Sequence, residues 1–330
     1  MNRRVLVAAL TLTFPFTAFA LDTSRPDIAA FIDEMVEEHD YDRDVIEGYL
    51  AEARISDRIL ELISTPAEKR LTWGEYRGKF LTRERIELGT EFWREHAEML
   101  SRISTETGVP EEIIVGIIGV ETYYGRITGS HRVIDALTTL AFEYPRRAKF
   151  FRKELREFLL LAREEGLDVS SATGSYAGAM GRPQFMPSSF RAYAVDSTGD
   201  GRIDIWNDWG DVAGSIANYF VRHGWTEDGE VVAQAALGAG FKGEQPQPKN
   251  TLTPEDTVAS LSQKGVMFAT DLDSNAKSQL LAYEIDGDLE YWIGFHNFFV
   301  ITRYNRSVMY ALAVHQLGQE VAAEMRSNAT

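Results

Sequence analysis

The stretch Glu111-Glu112-Ile113-Ile114-Val115-Gly116-Ile117-Ile118-Gly119-Val120-Glu121 constrains this chain more than any other. Pro110 precedes it and acids fill its first turn, and both favour the start of a helix. On that helix Ile114, Ile117, Ile118 and Glu121 fall at i, i+3, i+4 and i+7. The final carboxylate therefore shares a face with the isoleucines. A carboxylate against apolar walls is desolvated, which disfavours its ionised form and raises its pKa. Such a group can hold a proton at neutral pH and act as a general acid. A glutamate that has reached the helix end and turned to solvent fits the same spacing, so this pattern alone leaves both readings open.

Composition removes several function classes. The chain has 330 residues, 44% of them hydrophobic, enough for a sizeable core and two or three lobes. Its net charge of −16 argues against a generalised basic surface for nucleic acid. There is no cysteine, so disulfides, thiol nucleophiles, cysteine-ligated zinc and a lipid-modified N-terminal Cys are excluded. The six histidines form no HExxH or HxxxH pair, which argues against a zinc hydrolase. Gly238-Ala239-Gly240-Phe241-Lys242-Gly243 matches G-x-G-x-x-G, but Gln245-Pro246-Gln247-Pro248 follows where a helix should open, so no dinucleotide site is expected.

Residues 1–20 read as a secretory signal. Met1-Asn2-Arg3-Arg4 is basic, Val5 to Phe16 is mostly apolar, and Ala18-Phe19-Ala20 fits a cleavage site. A membrane anchor is the alternative, but the apolar run is short for a span and contains Pro15. The expected location is the periplasm, with no transmembrane segment after signal removal.

Periodicity predicts helices over residues 21–69, from Thr82 to Ser104, from Pro110, from Arg147 to Glu165, from Asp211 to His223 and from Ser307 to Met325. Residues 174–190 read as a loop with a short helix. Beyond Gly224 strands are expected at Glu230–Leu237, Leu280–Ile285, Tyr291–Ile293 and Phe298–Thr302, with a hairpin at Asp286-Gly287-Asp288 and a short helix over Pro254–Lys264. The fold expected is mainly α with a small mixed α/β lobe. Its divisions are an N-terminal helical region (21–90), a catalytic core (91–228), the small lobe (229–303) and a C-terminal helix returning to the core (304–330).

Four segments carry a resemblance. They are Glu121-Thr122-Tyr123-Tyr124-Gly125, Tyr144-Pro145-Arg146-Arg147-Ala148, the run AGAMGRPQFMPSS from Ala177 to Ser189, and Arg303-Tyr304-Asn305-Arg306-Ser307. From about Thr72 to Tyr310 the chain closely resembles the lytic murein transglycosylase B family. That resemblance implies a lysozyme-like core with an EF-hand-like loop and makes Glu121 the catalytic acid/base. It places Tyr76, Arg146, Arg147, Ser175, Gln184, Phe185, Tyr219, Tyr304, Asn305 and Tyr310 at substrate-contacting positions. One departure is Arg182-Pro183, where some relatives have Tyr-Gly. The implied reaction cleaves the MurNAc-GlcNAc β-1,4 bond and closes a 1,6-anhydro ring without water. A hydrolytic muramidase and a non-catalytic exported murein-binding protein are the alternatives. Peptidoglycan strands are the expected partner, with other cell-wall enzymes as further candidates.

Asp196-Ser197-Thr198-Gly199-Asp200-Gly201-Arg202 follows the spacing of a calcium loop, with Asp196, Thr198, Asp200 and the Arg202 carbonyl as ligands. Position 12 is Asn207, so the last ligand must come from elsewhere. The resembling family has a longer loop ending at an Asp, which implies Asp211 as the candidate, with Asp208 its rival because this chain is one residue longer there. The expected role of Ca2+ is structural, and no organic cofactor is expected.

Overall fold

The computed structural model describes residues 21–65 and 71–327, so the leader expected at 1–20 lies outside it. Helix α1 (Pro26–His39) buries Ile28, Phe31, Ile32 and Met35, and Asp40 ends it in the left-handed region. Asp42 caps α2 (Arg43–Glu52) and Ser56 caps α3 (Asp57–Ser64), each side chain accepting backbone N–H groups. A reciprocal box between Thr72 and Glu75 opens α4 (Trp73–Phe80). Thr82 opens α5 (Arg83–Glu95) by accepting the Arg85 N–H. The single helix expected from Thr82 to Ser104 is broken at His96, and α6 (Ala97–Thr107) starts afresh. The His96 ring packs on Phe92 and Trp209, with centroids 4.6 and 5.7 Å away. Tertiary packing, with no Pro or Gly at the site, accompanies the break.

The apolar segment forms α7 (Glu111–Thr122). Strand β1 (His131–Arg132), α8 (Val133–Glu143), a 3-10 turn at Pro145–Arg147 and α9 (Ala148–Glu165) follow. Strand β2 (Thr173–Gly174) pairs antiparallel with β1. Helix α8 has no counterpart among the helices read from sequence. It is buried on nearly every side, so it shows no polar face to give it a period. Helices α10 (Pro187–Tyr193) and α11 (Trp209–Arg222) complete the central part.

The small lobe is one antiparallel sheet. Its strands are β3 (Val232–Leu237), β4 (Asp256–Thr257), β5 (Val266–Met267), β6 (Lys277–Ile285) and β7 (Asp288–Gly294), in the order β4-β6-β7-β3-β5. Helix α12 (Val258–Gln263) sits beside it. The expected hairpin joins β6 to β7 through Asp286 and Gly287, at φ 52° and 87°. Positive φ at both central residues matches the right-handed strand twist, which suits Asp-Gly. Leu261, Val266, Ile293 and Phe295 form this lobe's own apolar cluster.

One strand expectation fails. Phe298–Thr302 lies within α13 (His296–Tyr304). Asn297 to Thr302 are all buried, and a short, wholly buried run of aromatic and β-branched residues has no period to separate strand from helix. Helix α14 (Val308–Ser327) then returns to the larger core, which is continuous from Leu21 to Val321. The boundary drawn at residue 90 falls inside α5, because the N-terminal helices share that core.

Candidate active site

Ile113, Ile114, Val115, Ile117 and Ile118 of α7 are buried to 1% exposure or less. Two glycines bring α7 and α14 to backbone contact. A Cβ on Gly116 would lie 2.4 Å from the Val314 carbonyl oxygen, and one on Gly318 would lie 2.1 Å from that of Glu112. This approach sets Tyr310 of α14 across from the last turn of α7. Its hydroxyl donates to Glu121 Oε1 at 2.6 Å. Glu121 is half-buried, while Tyr310 is buried. Burial first, and then the neighbouring carboxylate, push the Tyr310 hydroxyl well above the usual tyrosine range, so it stays a proton donor. Tyr310→Phe should lower kcat/KM roughly tenfold, since a hydrogen bond to a charged group is lost. Its pH profile should shift upward on the alkaline limb, because the bond favours ionised Glu121 and a general acid must start protonated. Steady-state rates across pH would check both.

The helix end is held by the residue after the glutamate. Thr122 is buried, and its hydroxyl donates to the Arg182 carbonyl at 3.1 Å and accepts the Gly125 N–H. Tyr123 and Tyr124 both lie in the left-handed region, at φ 53° and 57°. Non-glycine residues rarely adopt it, so the turn after Glu121 is over-determined by its surroundings.

The segment 174–190 wraps this end. Ser175 Oγ accepts the N–H groups of Ala177 and Ala179, which closes its turn. Gln184, at φ 52°, donates from Nε2 to the carbonyls of Thr128 and Gly181. Tyr304 donates to the Pro183 carbonyl at 2.6 Å, and Tyr219 to the Arg303 carbonyl at 2.7 Å. Tyr219 and Tyr304 pack on the buried Phe185 ring, each 5.8 Å away. The result is a half-buried carboxylate at the end of an apolar helix, with Tyr310 and Tyr304 beside it and the 174–190 segment tied to the same helix end through Arg182.

Residues 23–319 match the transglycosylase SLT domain model. The chain belongs to the SLT transglycosylase family. It is 42% identical over 308 residues to membrane-bound lytic murein transglycosylase B of Escherichia coli (strain K12), covering 91% of this chain and 83% of that protein. The soluble lytic transglycosylase SltB1 from Pseudomonas aeruginosa superposes with a TM-score of 0.84 at 48% identity, over 92% of this chain and all of that one. Escherichia coli Slt35 in complex with calcium gives 0.84 at 42% identity, covering 94% of this chain and 97% of that one. The mainly α, lysozyme-like fold class read from the sequence is that of these enzymes.

Other sequence-chosen residues of this transglycosylase are differently placed. Tyr76 is buried between Trp73 and Phe80. The Phe185 ring is buried too. Arg146 and Arg147 are exposed on the 3-10 turn, with the Arg147 guanidinium over Phe150. Asn305 lines a cavity of about 510 Å³ with Trp73, Asn250, Tyr283 and Met309.

The acidic loop is braced by its own carboxylates. Asp196 accepts the N–H groups of Gly201, Gly199 and Asp200, which hold its carboxyl below the usual range, and Asp200 accepts that of Arg202. Asp211 is buried inside the loop, its two oxygens accepting from Ser197 and Asp204 at 2.8 Å each. Burial raises its pKa. Asp208 instead caps α11. Among the described residues, carboxylates of this loop do not gather three within 4.8 Å. Thr198, beside them, bonds Asp196.

Glu154 went unread in the sequence. It stands three residues after Phe151 and four before Phe158 on α9, a spacing that marks the buried face. Its carboxylate accepts both the N–H and the hydroxyl of Ser188, at 3.0 and 2.7 Å, and so caps α10 from another helix. Burial raises its pKa from 4.5. A raised carboxylate costs stability as the pH climbs from its unfolded to its folded value. Glu154→Gln should therefore gain in Tm relative to the parent as pH rises from 4.5. A pH series of melting curves measures that gap, and a constant gap would count against the buried charge.

Proposed function

We propose that this lytic transglycosylase cleaves the β-1,4 bond between MurNAc and GlcNAc in murein, with Glu121 as its one acid/base. The bond from Tyr310 to Glu121, at the end of an apolar helix, carries the reading. Apolar walls favour the protonated acid, whereas the tyrosine donor favours the carboxylate. A group that must give a proton and then take one back needs both influences. Glu121 protonates the departing glycosidic oxygen. As a carboxylate it then accepts the proton of the 6-hydroxyl on the same MurNAc, whose oxygen attacks C1. A 1,6-anhydro ring closes and no water is consumed. Most glycosidases need a second carboxylate for a water or a covalent intermediate, whereas this route needs one.

Ser175, Gln184, Tyr219, Tyr304, Asn305, Arg146 and Arg147 are read as the substrate contacts, with Tyr76 and Phe185 supporting them. Mass spectrometry of digested sacculi tests the proposal: anhydro-muramyl ends are expected. Reducing ends would make the protein a muramidase, and binding without solubilisation would make it non-catalytic.

The acidic loop is read as a calcium site. Asp196, Thr198, Asp200, the Arg202 carbonyl and Asp211 are all oxygen donors, which suit a hard cation. Calcium would supply charge neutralisation and bracing. Export to the periplasm follows from the leader-like residues 1–20 and the murein substrate.

A further inference from the structure

Three consecutive residues at the end of α7 have positive φ: Tyr123 at 53°, Tyr124 at 57° and Gly125 at 80°. Two of them are not glycine, and a left-handed run of this kind persists only where its surroundings hold it. Backbone bonds do part of the holding, since the Tyr123 and Tyr124 N–H groups close on the Gly119 and Ile118 carbonyls. Side chains hold the third residue. A Cβ on Gly125 would lie 2.9 Å from Trp209 Cη2 and 3.3 Å from Arg182 Nε, so the turn rests directly on these two side chains.

Arg182 and Trp209 are both half-buried, and the guanidinium lies over the indole with Cζ 3.8 Å from the ring centroid. A planar cation on an indole face is attracted to it, and a guanidinium can stack there as an ammonium cannot. Nη1 fixes the plane by donating to the Asn207 carbonyl at 2.9 Å, and Asp204 and Asp208 are near enough to support the charge. Trp209 meets Phe92 edge to face at 4.7 Å, and Phe92 stacks on Tyr124 at 5.7 Å. This train of rings begins at Arg182 and ends on the middle residue of the turn. The backbone of Arg182 reaches the same place. Its carbonyl receives the Thr122 hydroxyl at 3.1 Å, and that hydroxyl accepts the Gly125 N–H at 3.1 Å. One residue therefore holds the turn twice, and Thr122, the residue it bonds, is next in the chain to Glu121.

We propose that the Arg182–Trp209 stack is a positioning pair for the reaction: it clamps the left-handed turn 123–125 and so fixes the carboxylate at the end of α7. This rests on the reading of Glu121 as the acid/base and adds what holds that group in place. A reacting group displaced by about an ångström can lose on the order of 10²-fold in rate. The test measures kcat and KM separately on soluble glycan strands, well below each variant's melting temperature. It uses wild type, Arg182→Met, Arg182→Lys, Trp209→Leu and the Arg182→Met/Trp209→Leu double variant. Arg182→Met keeps the backbone bond to Thr122 and removes the stacked plane. Its kcat should fall on the order of tenfold while KM moves by less than about twofold. Arg182→Lys keeps the charge without the plane, so it should recover only part of the loss. Because the two side chains act as one unit, the double variant should lose little more than the worse single one. An unchanged kcat in Arg182→Met, a fall confined to KM, or additive losses in the double variant overturns the proposal. If Trp209→Leu fails to fold, the kcat and KM of Arg182→Met and Arg182→Lys decide it. Wild-type turnover in Glu121→Gln would instead sink the acid/base reading, which separates the two failures.

Discussion

Glu121→Gln should fold, bind murein and lose nearly all turnover. Glutamine keeps the shape of the side chain and can still accept the Tyr310 hydrogen bond through its carbonyl oxygen, so α7 and α14 should stay docked. It has no proton to give to the leaving oxygen and no charge with which to take one back. General acid–base catalysis contributes on the order of 10² to 10⁴-fold, and a group serving both steps should lie at the upper end or beyond. The checks are a melting curve, a murein pull-down and the release of soluble muropeptides. Wild-type-like release from this variant would remove Glu121 from the mechanism. A collapsed melting temperature would move the question to Tyr310→Phe, which alters the same carboxylate without replacing it.

The second large effect is expected from calcium. Asp196, Asp200 and Asp211 place negative charge around one short turn, and backbone N–H groups answer only part of it. A cation that binds only the folded form stabilises it by mass action, by roughly 2.7 kcal/mol at a hundredfold excess over its dissociation constant. Calcium should therefore raise the melting temperature, and chelator should lower it. The loop is tied to the end of α7 that carries Glu121. Arg182 bonds the Ile205 carbonyl through its N–H and the Asn207 carbonyl through Nη1, while its own carbonyl receives Thr122. Loosening the loop should lower activity at higher temperature before it lowers it in the cold. Asp200→Ala should abolish the calcium shift and retain turnover at low temperature. Equal melting with calcium and with chelator would reduce the loop to an acidic turn.

How far the sequence reaches depends on whether a signal is local. Thr82, Gly166 and the Asp286-Gly287 turn act on their own backbone, and each marks its element as expected. The placement of Glu121 among isoleucines is local too, since one helix sets that spacing. By contrast, α8 and α13 are buried on nearly all sides, and a run without a polar face has no period to read. The break at His96 coincides with rings from α5 and α11 meeting there, a contact between residues far apart in sequence.

The partners of the site belong to the tertiary structure. Tyr310 lies 189 residues from Glu121, and they meet because glycines let α7 and α14 touch. Motif likeness named both residues but said nothing of the bond between them. Ser175 and Gln184 were legible as polar residues in a loop, yet what their hydrogen bonds hold depends on where the chain turns. Glu154 could not be distinguished from a surface charge until burial was known. Burial is set by everything packed around a side chain, so the sequence by itself determined which residues share a helix face, and the packing of distant helices decided which of its charges are enclosed.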